Sequence, residues 1–145
     1  MPWRSTPAAP AALHPVPRAA PPRADARLGR WTIDSTAELR QLRAELREAL
    51  HVPRQVAAPL LLVASELATN ALHHGVPPVV LSLARTGDAY LLDVADRSLD
   101  EVPTYSAYRP AGAGGFGLYV VGRLADDVGW YVEAGLKHVW ATLPR

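Results

Sequence analysis

Two stretches of different hydrophobic period predict an α/β fold, a two-layer sandwich in which helices cover one face of a mixed sheet. Leucines recur at helical spacing from Leu39 to Leu50, and a second apolar helical stretch reaches His73. From Val79 the period falls to two, and another period-two pair closes the chain between Val128 and Leu143. A length of 145 residues leaves room for one domain with an ordinary core. The chain has no cysteine, which excludes disulfides, thiolate metal sites and cysteine nucleophiles, and suits a reducing, cytoplasmic compartment. A net charge of +1 is too near balance for a dedicated nucleic-acid or polybasic membrane protein. The longest central apolar run, Val56 to Ala64, contains Pro59 and is too short to span a bilayer.

Taken in order, the chain opens on a segment unlike the rest. Seven of its fourteen prolines fall in the first 22 residues, among alanines, and residues 1–30 hold five arginines against one acid. Proline removes ladder donors and alanine supplies little core, so residues 1–27 are expected to form a disordered or polyproline-like arm, with the folded domain covering 28–145. The arm has no continuous apolar stretch of the kind a secretory signal needs.

Leu28 to Ile33 reads as a short edge strand. Ser35 with Glu38 three residues later makes a capping box for a helix over 36–50, whose Leu39, Leu42, Leu46 and Leu50 form the buried stripe. The second helix runs from Pro53 or Val56 to His73, with Pro59 expected to mark its regular start or a kink, and Gly75 ends it. Val79–Arg85 and Ala89–Ala95 form a hairpin turning at Gly87 and Asp88. Residues 96–115 show no periodicity, and a loop of that length in a small domain is usually functional. Gly117–Leu124 reads as a short helix, and Val128–Glu133 with Leu136–Leu143 as a closing hairpin turning at Gly135.

Chemistry concentrates in three places. Glu66 and Asn70 are four apart on the second helix, one turn from each other, where a carboxylate and an amide can hold a divalent ion or orient a hydroxyl beside a phosphate. A solvent-facing polar pair accounts for the same spacing. Asp96 directly follows an apolar strand, where a carboxylate can accept a hydrogen bond from an exocyclic amine. Gly112 to Gly117 then leads into a short helix whose free amides can receive phosphates, although a flexible surface loop has the same composition. The glycines have neither the dinucleotide-binding nor the P-loop order, so phosphate handling must be of another type.

The order Glu66-Leu-Ala-Thr-Asn70-Ala-Leu-His-His-Gly75, Asp96 after a strand, then Gly115-Phe116-Gly117-Leu118 resembles the Bergerat-fold ATP-binding domains of gyrase, the large heat-shock chaperone and histidine kinases. More narrowly, it is similar to the stand-alone anti-sigma-factor serine kinases of actinobacteria, and the closing run Lys137 to Leu143 resembles the final strand of that subgroup. The resemblance covers roughly 28–143. It implies ATP and Mg2+ as cofactors, with Glu66 polarising the attacking hydroxyl and Asn70 ligating the magnesium. It also implies Asp96 on the adenine amine, and Gly115 and Gly117 in a lid over the phosphates. His74 is a candidate phosphate contact, although its place near the helix end also suits a capping role. The partners implied are a sigma factor and an anti-anti-sigma protein, with a homodimer possible and no direct contact with nucleic acid or membrane.

Two positions depart from the family pattern. Asp100 stands where a glycine of the nucleotide loop is expected, and His138 takes the expected place of an adenine-binding threonine. Both are expected to alter the adenine pocket. Arg97, Arg109 and Arg123 are expected to flank that pocket or to lie on a solvated face. Three functions are therefore weighed: a serine kinase of an anti-anti-sigma partner, a noncatalytic module whose partner binding is gated by nucleotide, and an interaction domain that has lost ATP binding.

Overall fold

The computed structural model describes residues 13–106 and 116–145. In chain order the elements are β1 (Leu13–Pro15), β2 (Ala26–Ile33), α1 (Leu39–Leu50), α2 (Arg54–His74), β3 (Val79–Thr86), β4 (Ala89–Asp96), β5 (Thr104–Ser106), α3 (Phe116–Leu124), β6 (Asp127–Glu133) and β7 (Leu136–Pro144). The main sheet has the order β2-β3-β4-β7-β6, with every neighbouring pair antiparallel. Its mixed character comes from a single parallel bridge, Arg18 to Trp130, made by the segment before β2.

Period-two alternation divides the sheet into two faces. Val79, Leu81 and Leu83 of β3, and Leu92 and Val94 of β4, lie in the main core with Leu60, Val63, Ala64 and Leu67 of α2. A fully buried leucine of this kind contributes about 1.5–3 kcal/mol. Helix α1 is entered through a 3-10 turn, Thr36–Glu38, and the Ser35/Glu38 capping box forms: Glu38 Oε1 accepts from the backbone amides of Asp34 (2.7 Å) and Ser35 (3.1 Å). Glu45 anchors α1 to the edge of the sheet by accepting from Trp31 Nε1 at 2.8 Å.

Pro59 does not set the start of α2, which is helical from Arg54 through to His74. The proline is exposed and lies in the second turn, where the carbonyl it leaves without a partner is near water. With its 21 residues, α2 is long and apolar enough for a membrane span by composition, but here Leu60, Leu61, Val63, Ala64 and Leu67 are buried in the core.

The largest difference from expectation lies before β2. Residues 1–12 are outside the described residues, but 13–25 are not a free arm. Strand β1 pairs antiparallel with β5, two short strands that had no periodic signature. Val16 is 2% exposed and belongs to the main core, with its amide donating to the Pro103 carbonyl at 2.9 Å. The segment then crosses the outer face of the sheet. Its carbonyls accept where its prolines cannot donate: Val16 O from Trp130 Nε1 (3.1 Å), Pro17 O from the Trp130 amide (3.0 Å) and Ala19 O from Trp140 Nε1 (2.8 Å). Asp25 ends the crossing, donating its amide to Arg85 O (2.7 Å) and accepting from Gly87 N (2.7 Å). Two buried indoles need acceptors, and the extended segment supplies them.

Candidate functional site

The C-terminal half of α2, the end of β4 and the strand β7 beside it enclose a cavity of about 130 Å3, room for several waters' worth of ligand at about 30 Å3 each. Asn70, Ala71 and His74 line it from α2, Val94 and Asp96 from β4, and Lys137 and Val139 from β7. Leu118 of α3 and residues 101–104 complete the wall. Apolar Val94, Val139 and Leu118 with a few polar groups between them suit a flat, partly polar ring.

Asp96 is the most constrained polar group here, only 3% exposed. Its Oδ1 accepts from the Ser98 amide at 2.7 Å and, at the limit of hydrogen bonding, from the Val76 amide at 3.5 Å. Among the described residues Oδ2 receives no donor, so a buried carboxylate oxygen is left for a ligand N–H. Gly75 is what lets the carboxylate sit there. A Cβ at that position would lie 2.5 Å from Asp96 Cγ and 2.6 Å from both Oδ2 and the Ala71 carbonyl. The Arg97 amide donates to Val76 O at 3.0 Å, which ties the start of the following loop to the end of α2.

Lys137 was not singled out as a site residue by the sequence, because one lysine on an amphipathic strand carries no signal. It is the register partner of Asp96 across the β4–β7 ladder, is buried, and donates to the Glu101 carbonyl at 3.3 Å. The cavity therefore holds one buried anion and one buried cation from adjacent strands.

The sequence-predicted residues do not all converge. Asn70, His74 and Asp96 line the same cavity. Glu66 does not. It faces a separate groove between α1 and α2 with Arg43, Arg47 and Arg54, and burial pushes its carboxyl above the usual glutamate range. Four residues of helix overshoot a full turn by about 40°, so the two side chains are not directly in line. Gly117 lies in the first turn of α3, while Gly115 and Arg109 fall outside the described residues. Arg97 is exposed, and Arg123 lies against Tyr119, donating to its hydroxyl at 3.3 Å.

Neither expected disturbance of the adenine pocket is found. His138 points to the opposite face of the sheet from Lys137 and Val139, as period two requires, and binds Asp93 through Nδ1 at 2.7 Å. Asp100 is exposed and does not line the cavity, whose wall begins at Glu101. Among the described residues no three histidines or carboxylates gather at a metal-binding distance.

Comparison with known proteins agrees with this arrangement. The pattern of the family described as the histidine kinase-like ATPase domain matches residues 32–143, most of the chain. No curated protein is similar enough in sequence to count as a match. Among solved structures, the chain is similar to the crystal structure of the RsbU and RsbW domains of Rv1364c from Mycobacterium tuberculosis. That likeness has a TM-score of 0.55 and 23% identity over 80% of this chain, but spans only 32% of the other chain. It supports the fold. The matched pattern, running from the end of β2 through the cavity to β7, shows that the chain belongs to the histidine kinase-like ATPase domain family, an ATP-binding fold.

Proposed function

We propose that the protein is a cytoplasmic, ATP-dependent serine kinase that phosphorylates an anti-anti-sigma protein and also binds a sigma factor. The observation that carries the reading is the buried Asp96 carboxylate, which lines a cavity shared with Asn70 and whose Oδ2 receives no donor among the described residues. An adenine amine is the donor such an oxygen lacks, and a planar base fits between the valines and Leu118. Lys137 adds a fixed positive charge on the same wall. His74 and the backbone near Gly115 and Gly117 are assigned to the phosphates.

Asn70 offers an amide oxygen, and a hard cation that keeps most of its ligands as phosphate and water needs few from protein, so the residues present fit Mg2+. When bound, the ion neutralises phosphate charge during transfer. Glu66 then has the remaining task. The partner serine hydroxyl gives its proton to the Glu66 carboxylate as its oxygen bonds to the γ-phosphorus, and the bond to the β-phosphate oxygen breaks to leave ADP. The raised Glu66 carboxyl suits a proton acceptor poised nearer neutrality.

Single-turnover transfer at saturating ATP tests this with Glu66→Gln. Transfer should fall by roughly 100-fold or more with ATP affinity little changed. Transfer at the parental rate would reject the catalytic role. A second reading, a noncatalytic module whose partner binding is gated by ATP, is favoured by Glu66 lying in a groove apart from the cavity. ATP-dependent partner affinity that survives Glu66→Gln without any transfer by the parent would select it. No calorimetric ATP signal at millimolar concentration would leave only an interaction domain.

A further inference from the structure

The groove beside Glu66 is larger than the nucleotide cavity, about 590 Å3, and differs from it in chemistry. Arg43 and Arg47 stand one turn apart on α1, and Arg54 opens α2 opposite them, so three guanidinium groups border one groove. On an ordinary solvated helix such charges would be met by acids three or four residues away, but no acid stands at those positions from Arg43, Arg47 or Arg54. The nearby Glu45 is committed to Trp31 and Gln41, at 2.8 and 2.7 Å. The one ion pair among the described residues, His138 with Asp93, is elsewhere. Among the described residues Arg43 has only Ser65 Oγ, at 3.5 Å. Among the described residues Glu66 is the single acid lining the groove, against three arginines.

Between the arginines the surface is apolar. Leu61 and Leu62 line it, and Leu62 is 44% exposed, a large aliphatic side chain left in water. A bare phosphate chain would gain nothing from that leucine. A polypeptide carrying both acids and an aliphatic residue would use the whole groove.

We infer that this groove is the docking site for the phosphoacceptor segment, and that the segment is an extended stretch of a partner protein whose serine is flanked by aliphatic and acidic residues. The identification of the segment as phosphoacceptor rests on the kinase reading. The groove itself rests on its charge and its exposed leucine. Acids of the segment pair with Arg43, Arg47 and Arg54, its aliphatic side chain covers Leu62, and its serine comes to lie at the Glu66 end. That end is one helical turn from Asn70, so substrate specificity is set by α1 and the start of α2, outside the nucleotide cavity.

The test uses the full chain and two fluorescein-labelled peptides, Glu-Asp-Leu-Ser-Leu-Asp-Glu and its counterpart with every acid replaced by lysine. Fluorescence anisotropy should show the acidic peptide binding at least tenfold tighter than the basic one, and weakening as salt is raised from 50 to about 300 mM. The combined Arg43→Glu, Arg47→Glu, Arg54→Glu variant should lose that preference while binding ATP as the parent does. Arg47→Glu alone, at an exposed position, should weaken acidic-peptide binding about threefold. Equal binding of the two peptides, parental binding by both variants, or tighter binding of a single-stranded oligonucleotide than of the acidic peptide would overturn the inference. A parent that fails to bind ATP would overturn the kinase reading instead, and the peptide comparison still decides the groove.

Discussion

Asp93 and Asp96 belong to the same strand, β4, and face opposite sides of the sheet. On the outer face, Asp93 is saturated: Tyr131 donates its hydroxyl to Oδ2 at 2.8 Å, and His138 Nδ1 meets Oδ1 at 2.7 Å. The two rings stack with centroids 4.4 Å apart. Burial, and then the Asp93 charge, push the Tyr131 hydroxyl well above the usual phenol range, so it stays a donor across the working pH. On the inner face, Asp96 is held by backbone amides, among the described residues on one oxygen only, and it borders a cavity. Two carboxylates three residues apart thus differ in what they lack. The outer one needs nothing further and reads as structure. Among the described residues the inner one leaves a buried acceptor unused, which in a folded protein calls for a ligand or water.

The comparison can be broken from either side. The largest effect is expected on the inner face: Asn70→Ala should abolish magnesium-dependent ATP binding while circular dichroism stays unchanged. Equal ATP affinity with and without magnesium in that variant would remove Asn70 as a metal ligand. Next, Asp96→Asn should weaken ATP by about 1–3 kcal/mol, since the amide can turn a donor toward the adenine amine, and should erode preference for ATP over GTP. Titration calorimetry with both nucleotides measures it, and an intact preference would take Asp96 out of the base pocket.

Changes away from the cavity should instead appear in stability. Val16→Ala removes two methyl carbons that the start of the crossing segment buries in the main core, and should cost about 2 kcal/mol in urea unfolding. A cost near zero would mean that the segment is not docked in solution. Asp93→Asn keeps one acceptor of two, so it should cost about 1 kcal/mol and leave ATP affinity within about twofold. If Asp93→Asn impaired ATP binding as much as Asp96→Asn, the division between the faces would fail.

The smallest effect on stability concerns Glu66. Its carboxyl is raised in the folded state, so between the unfolded and folded values the native chain binds more protons than the unfolded one. Stability therefore falls as pH rises through that window, and Glu66→Gln should flatten this part of the thermal unfolding profile, leaving the variant slightly the more stable above it. Transfer activity should move the other way, rising with pH as the base is uncovered. A parental pH profile of unfolding in the variant would show that Glu66 is not desolvated.

Local rules carried much of this protein in the sequence itself. The capping box at Ser35, the leucine stripe of α1, the glycine turns at Gly87 and Gly135, and the change of period at Val79 depend on neighbours a few residues away, and each is found close to its expected place. Asn70, His74 and Asp96 were legible as candidates because a helix terminus and a strand end are local features. What lay beyond the sequence were contacts between distant segments. The proline-rich start is not legible as a docked strap, because its stability comes from the indoles of Trp130 and Trp140, more than a hundred residues on. Lys137 becomes a site residue, and His138 ceases to be one, only when the register of β7 against β4 decides which of two neighbours faces the cavity. Spacing alone put Glu66 beside Asn70; the packing of α1 against α2 put it in a groove of its own. Hydrogen-bonding propensity and hydrophobic period are written residue by residue, whereas the face a side chain presents and the partner it meets follow from how the layers close on each other.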